Sequence, residues 1–200
     1  MKNLIYIIVF VLITATCTDQ KNKIEGIPIS EFYNNCDDDY IEYGDMITLG
    51  DPSDKFMIRL PYKWDIQESY SDTLYGIIAT NRFEARNNPE EFLMVSVTGY
   101  QTSDSLYQYF INELKTLKKD KSMKVHSVGQ IEINKKNAWW VKFEAEESDF
   151  QIMNLVQYVK SEKNDEIYII QSTIYKSDDY DKKLCQLKRF TDSFELVEDD

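Results

Sequence analysis

Ala138-Trp139-Trp140-Val141-Lys142-Phe143-Glu144-Ala145 is the stretch whose reading decides the fold. Trp139, Val141, Phe143 and Ala145 alternate with Ala138, Trp140, Lys142 and Glu144, the period-2 pattern of a strand with one strongly apolar face. Around it, Lys124 to Tyr175 holds four strand-like runs. The connections Asn134 to Asn137, Glu147 to Asp149 and Ser161 to Asp165 are too short for a parallel crossover, so the four runs form an antiparallel meander. In Phe150 to Lys160 and Ile167 to Tyr175 both faces carry apolar side chains, which places these runs mid-sheet with material packed on either side. Neighbours on a strand point to opposite faces, so Trp139 and Trp140 do too. If both faces are covered, both rings are core; the alternative has Trp140 lining an exposed groove as an anchor for a partner.

Upstream, Lys55 to Leu60 alternates Phe56, Ile58 and Leu60 with polar or flexible residues and ends at Pro61, which has no amide hydrogen to continue a ladder. Trp64 then falls where its ring covers the strand's open end. Leu74 to Thr80 and Phe92 to Tyr100 read as two further strands, separated by a polar loop, Asn81 to Pro89. Loops on a rigid sheet are where binding residues tend to sit, which makes Arg82 and Arg86 candidate partner contacts; the plainer reading is two exposed charges on a turn.

Two helices complete the pattern. Leu106, Tyr109, Phe110, Leu114 and Leu117 recur at helical spacing, with Ser103 as the expected cap and Lys115, Lys118 and Lys119 at the negative end of the dipole. A second helix is expected from about Asp178 to Phe190, capped by Ser177, with Tyr180, Leu184, Leu187 and Phe190 as its inward stripe. Phe194 packs on the same face.

The N-terminus gives an address. Lys2 precedes ten apolar or aromatic residues, Leu4 to Ile13, after which Thr14, Ala15 and Thr16 lead into Cys17. These are the parts of a secretory signal, and the run is shorter than the about 20 residues of a bilayer span. A cysteine directly after the small residues resembles a bacterial lipoprotein signal, in which Cys17 carries the lipid; an ordinary cleaved signal is the alternative, because Thr14 stands where leucine is commonest. The expected organisation is a signal peptide over 1–16, a tether and partly ordered lead-in over 17–53, a domain over 54–197 and an acidic tail over 198–200.

Two hundred residues bearing a net charge of −12 make one domain that repels phosphate backbones, so no nucleic-acid partner is expected. Fourteen Tyr, ten Phe and three Trp argue for a folded core. With Cys17 lipidated, Cys36 and Cys185 are the remaining thiols, a candidate disulfide in an exported chain; two free cysteines are the alternative. His126 is the single histidine, which excludes a histidine-based metal site or a triad assembled around a second one, and it reads as structural or surface. The triplet Asp37-Asp38-Asp39 lacks the spacing of a calcium loop and reads as a solvated turn. No nucleophile elbow, phosphate loop or paired-cysteine motif occurs, so no catalytic residue, metal or cofactor is expected. Glu144, Glu146, Glu147 and Asp149 crowd one hairpin and read as a solvated strand end rather than two carboxyls held across a cleft.

The run Phe56-x-Ile58-x-Leu60-Pro61-x-x-Trp64 resembles the opening strand of PsbP-like and Mog1-like domains. The helix after the third strand, the Trp-bearing meander and a closing helix running into Asp192-Ser193-Phe194 agree with it over Lys55 to Leu196. The resemblance implies an α+β fold: a central antiparallel sheet flanked by helices on both faces, an α/β/α sandwich. It also implies a binding or assembly module rather than an enzyme, and supplies no catalytic residue. The expected function is therefore a lipid-anchored envelope protein, facing the periplasm or cell surface, that binds an envelope protein or small ligand. A hydrolase acting on an envelope polymer through paired carboxylates, and a purely structural envelope component, are the alternatives.

Overall fold

The structure, a computed structural model, describes residues 45–197 apart from 53, 72–73, 84, 148–149, 164 and 179. The expected signal, Cys17, Cys36, the acidic triplet and the tail at 198–200 lie outside the described residues.

Two antiparallel sheets organise the described residues. The smaller has the order β1-β2-β10, formed by β1 (Met46–Gly50), β2 (Phe56–Pro61) and β10 (Glu195–Leu196). Its central strand buries Phe56, Ile58 and Leu60 in strict alternation with exposed Met57 and Arg59, as its period-2 sequence requires. β10 is only two residues long. Beyond it the Ser193 hydroxyl accepts from the Arg59 amide at 2.9 Å and donates to the Arg59 carbonyl at 3.3 Å, so a side chain takes over the strand's role.

The larger sheet has seven strands: β3 (Asp65–Ser71), β4 (Leu74–Thr80), β5 (Leu93–Gln101), β6 (Met123–Ile133), β7 (Lys136–Glu147), β8 (Phe150–Lys160) and β9 (Glu166–Tyr175). Their spatial order is β3-β4-β5-β9-β8-β7-β6, and every pairing is antiparallel. It is two meanders joined where β5 meets β9, from Leu93 opposite Ile174 to Gln101 opposite Glu166. The expected meander over Lys124 to Tyr175 is present, with β8 and β9 mid-sheet. At the joint, Gly99 faces Tyr168, and a Cβ on Gly99 would come within 3.0 Å of the Tyr168 ring. Only the absent side chain lets that ring approach β5 so closely.

Each face has its own core. On the inner face, the small sheet and α2 (Tyr180–Asp192) close over Ile77, Val95, Val97, Trp140, Leu155 and Ile170. Phe190 of α2 meets Trp64 edge-on with ring centres 5.1 Å apart, so Trp64 belongs to this core rather than to a strand end. On the outer face, α1 (Leu106–Lys119) lays Phe110 and Leu114 against Trp139, Val141, Phe143, Val156 and Tyr158. The expected α+β sandwich is therefore the observed fold, with one helix on each face.

Several details differ from expectation. Ser105, not Ser103, caps α1, its hydroxyl accepting from the Gln108 amide at 3.2 Å, because Thr102 and Asp104 form a separate turn before the helix. α2 begins at Tyr180, whose amide bonds the Ser177 carbonyl, while the Ser177 hydroxyl accepts from Lys183. β1 lies inside the expected lead-in, and β3 was not anticipated: Asp-Ile-Gln-Glu-Ser-Tyr-Ser carries too little apolar pattern to declare itself.

Candidate interaction surface

α1 covers only part of the outer face. Following one row of side chains across the sheet gives Gln67, Ile78, Ser96, Gln171, Val156, Val141 and Val128 in register. The next gives Ser69, Gly76, Thr98, Ile169, Tyr158, Trp139 and Gln130. Along both rows the β7–β8 end is buried beneath α1, and the β3–β5 end carries hydroxyls and amides that need no apolar cover. Ile78 is 41% exposed there and Tyr100 39%. The β5 sequence shows why: Leu93, Val95 and Val97 point inward, and Met94, Ser96, Thr98 and Tyr100 point out.

The two halves meet along a polar seam. Asn154 is buried, and its Oδ1 accepts from Gln171 Nε2 at 2.9 Å and from Thr173 Oγ1 at 2.6 Å; Gln171 Nε2 also donates to Thr173 Oγ1 at 3.0 Å. Further along β8, the Tyr158 ring lies with its centre 6.2 Å from that of Tyr109 of α1. Burial, with the negative charge of Glu113 and the neighbouring Tyr100, pushes the Tyr109 phenol up to about 12. Burial and Glu113 raise Tyr158 as well.

At the opposite end, Arg82 Nε bonds Asp65 Oδ2 at 2.8 Å, and its guanidinium lies 5.0 Å from the centre of the Phe83 ring, which is 65% exposed. This loop is held firmly. The Asn81 side chain donates to the Glu91 carbonyl at 2.7 Å and accepts from the Leu93 amide at 2.8 Å, and Lys183 of α2 donates to the Glu90 carbonyl at 2.7 Å. Arg86 is exposed on a single 3-10 turn, Ala85–Asn87. Arg82 thus flanks the open half-face, and its charge is already matched by Asp65.

Trp140 is not part of any surface. It is 1% exposed and packed in the inner core, because its register on β7 points it at the side that α2 and the small sheet close. The reading of both tryptophans as core therefore holds, and the alternative of Trp140 as a partner contact falls. Cys185 is disulfide-bonded and packs partly against the inner core from α2; Cys36 lies outside the described residues.

Glu144 also departs from expectation. It is buried rather than solvated, its Oε1 accepting from Lys176 Nζ at 2.7 Å and its Oε2 lying 3.1 Å from His126 Nε2. The Lys176 hydrogen bond holds its carboxyl below the usual carboxylate range against the opposing effect of burial, and His126 adds to the lowering. With both oxygens engaged, Glu144 serves the fold, not a hydrolytic pair. Among the described residues no group of three or more His, Cys, Asp or Glu side chains is arranged to hold a metal.

No protein-family model and no curated protein matches the sequence. Solved structures do match. The Ran-binding protein Mog1p of Saccharomyces cerevisiae superposes with a TM-score of 0.52 at 10% identity, covering 77% of this chain and 96% of that one. Cyanobacterial PsbP from Synechocystis gives 0.51 at 11%, covering 76% and 92%. The chain has the PsbP/Mog1 fold. A third protein of similar fold, LpqN, involved in cell envelope biogenesis of Mycobacterium tuberculosis, gives 0.51 at 8%, covering 77% and 91%. At these identities the likeness is one of fold, and function has to come from this chain's own surface. On that PsbP/Mog1 sheet, sequence reasoning missed the open half-face, although the Val-Ser-Val-Thr alternation of β5 carries its signal.

Proposed function

We propose that the mature protein is a non-catalytic binding module of the bacterial envelope, anchored through lipid on Cys17, that docks a protein partner on the open half of its outer face. The observation that carries this reading is the half-face itself: Ile78 and Tyr100 stand exposed among Gln67, Ser96 and Thr98 on a rigid sheet whose other half is sealed. A hydroxyl- and amide-rich surface with a few exposed apolar side chains suits a protein–protein contact, where polar groups find partners and apolar ones are removed from water. Two proteins of similar fold support it, one Ran-binding and one involved in envelope biogenesis. The apolar leader ending at Cys17 supports the address. Within this reading Cys36 is the partner of Cys185, tying the segment after the anchor to α2.

Two experiments test the two parts. Purified mature protein, wild type and Ile78→Arg, is used to capture partners from envelope extract. One protein should be enriched by the wild type and lost with Ile78→Arg at unchanged thermal stability; identical recovery with both would remove the half-face from the reading. For the anchor, the wild-type protein should incorporate a labelled fatty acid and Cys17→Ala should not. If Cys17→Ala still takes up the label, Cys17 is not the lipid-bearing residue.

A further inference from the structure

The seven-stranded sheet ends in two outer strands of unlike character, β3 and β6. β3 is seven residues long, and Asp65, Gln67, Glu68 and Ser69 give it a polar margin that discourages another strand. β6 is eleven residues long and pairs, among the described residues, only with β7. Its register shifts between Val125 and Ser127, a bulge that breaks the regularity of its first part, where Lys124 also sits. Over residues 127–133 the pairing then runs on unbroken, opposite 142–136 of β7. This stretch, Ser-Val-Gly-Gln-Ile-Glu-Ile, holds no proline and no lysine, and its one charge is Glu132. The usual guards of an edge are missing from it. Both cores also stop here half-covered: Ile131 packs against the inner core and Val128 against the outer one, and each stays partly exposed. Gly129, opposite Trp140, adds a place where a neighbouring backbone meets no side chain.

The geometry points to residues 127–133 as a second docking site, which takes an extended, basic segment of a partner protein as an added strand. The outward N–H and C=O groups of an edge recur at strand spacing, and only another extended backbone matches them along their length. Apolar side chains on that segment would cover Val128 on one face of the sheet and Ile131 on the other, continuing both cores by one strand. A lysine or arginine fits beside Glu132, whose carboxylate makes no ion pair among the described residues; Lys136, across the hairpin, is held by Glu162 at 3.3 Å. Two copies of a chain with a net charge of −12 repel each other, so the occupant is a different, basic chain. The site lies at the other end of the sheet from the open half-face over β3, β4 and β5, and it stands or falls independently of that surface.

The test follows amide chemical shifts and hydrogen exchange of the mature protein, alone and with a capped seven-residue peptide of valine and threonine that carries one central lysine. A control peptide bears methyl groups on two adjacent central amides, which blocks both of its edges. In the protein alone, alternate amides of 127–133 should exchange rapidly, because every second one faces away from β7. With the peptide they should shift and become protected, while the amides of β3 do neither. The methylated control should change nothing, and Glu132→Gln should weaken the lysine peptide about two- to fivefold. Equal binding of the methylated control would overturn strand addition, and so would shifts scattered over the acidic surface. Affinity unchanged by Glu132→Gln would overturn the choice of a basic occupant. Uniform protection of 127–133 in the protein alone, or a dimer in sedimentation that Gln130→Pro dissociates, would show the edge already filled and overturn the proposal as a whole.

Discussion

The outer face of the seven-stranded sheet is two surfaces made from one set of hydrogen-bonded rows. Over β6, β7 and β8 it is an apolar bed. Phe110, fully buried, stacks on Trp139 with ring centres 5.0 Å apart and an 18° tilt, and meets Tyr158 edge-on at 5.5 Å. Over β3, β4 and β5 the same rows continue as Gln67, Ser69, Ser96 and Thr98. The boundary is no accident of composition. β6 lies four strand spacings from β5, roughly 19 Å, so the connection between them must cross the sheet, and α1 lies within that connection. Where the connection passes, outward side chains are mostly apolar; where it does not, hydroxyls and amides predominate around a few apolar residues such as Ile78 and Tyr100. The lesson is that an antiparallel sheet divides its faces by what the chain's own crossovers cover, and the remainder is available for a partner.

The largest expected effect breaks the covered half. Phe110→Ala removes the ring between Trp139 and Tyr158 and should cost about 3 to 5 kcal/mol in denaturant unfolding. The matched change on the open half, Ser96→Ala, should fall within about 0.5 kcal/mol, as for a half-buried surface position with no apolar neighbour lost. Equal costs at the two positions would mean that the halves are not distinct. An intermediate effect belongs to the seam. Asn154→Ala leaves the Thr173 hydroxyl and the Gln171 amide without their shared acceptor and should cost about 1 to 3 kcal/mol by the same measurement. A loss below that range would show that water takes over the role of Asn154 and that the seam is open to solvent.

Much of this fold was legible before any coordinates. The alternation in Ala138 to Ala145 and the short connections around it forced an antiparallel meander, since the period of two leaves one arrangement that buries both apolar faces. Phe56, Ile58 and Leu60 announced their strand, and the stripes of α1 and α2 announced their helices. β3 was not legible, because an edge strand with one solvated face carries little apolar signal. The burial of Trp140 was legible, since both tryptophans are core once both faces of the sheet are covered. That of Glu144 was not, because only the Lys176 and His126 partners, distant in the chain, accommodate a buried carboxylate on that side of β7. The loop arginines were legible as a position but not as a role, since the Asp65 that pairs with Arg82 lies at the start of the strand that sequence reasoning missed.

By itself the sequence determined the local alternatives: which residues alternate, where strands must turn back, which helices carry an apolar stripe, and that an apolar run, Leu4 to Ile13, precedes Cys17. These follow from steric periods of two and 3.6 residues, which act over a few neighbours. Only the tertiary structure decided which half of which face stays open, and that Tyr109 of α1 meets Tyr158 of β8 with ring centres 6.2 Å apart. Those facts depend on where a crossover lands and on pairing between strands far apart in the chain, and neither is encoded in any window of sequence short enough to read.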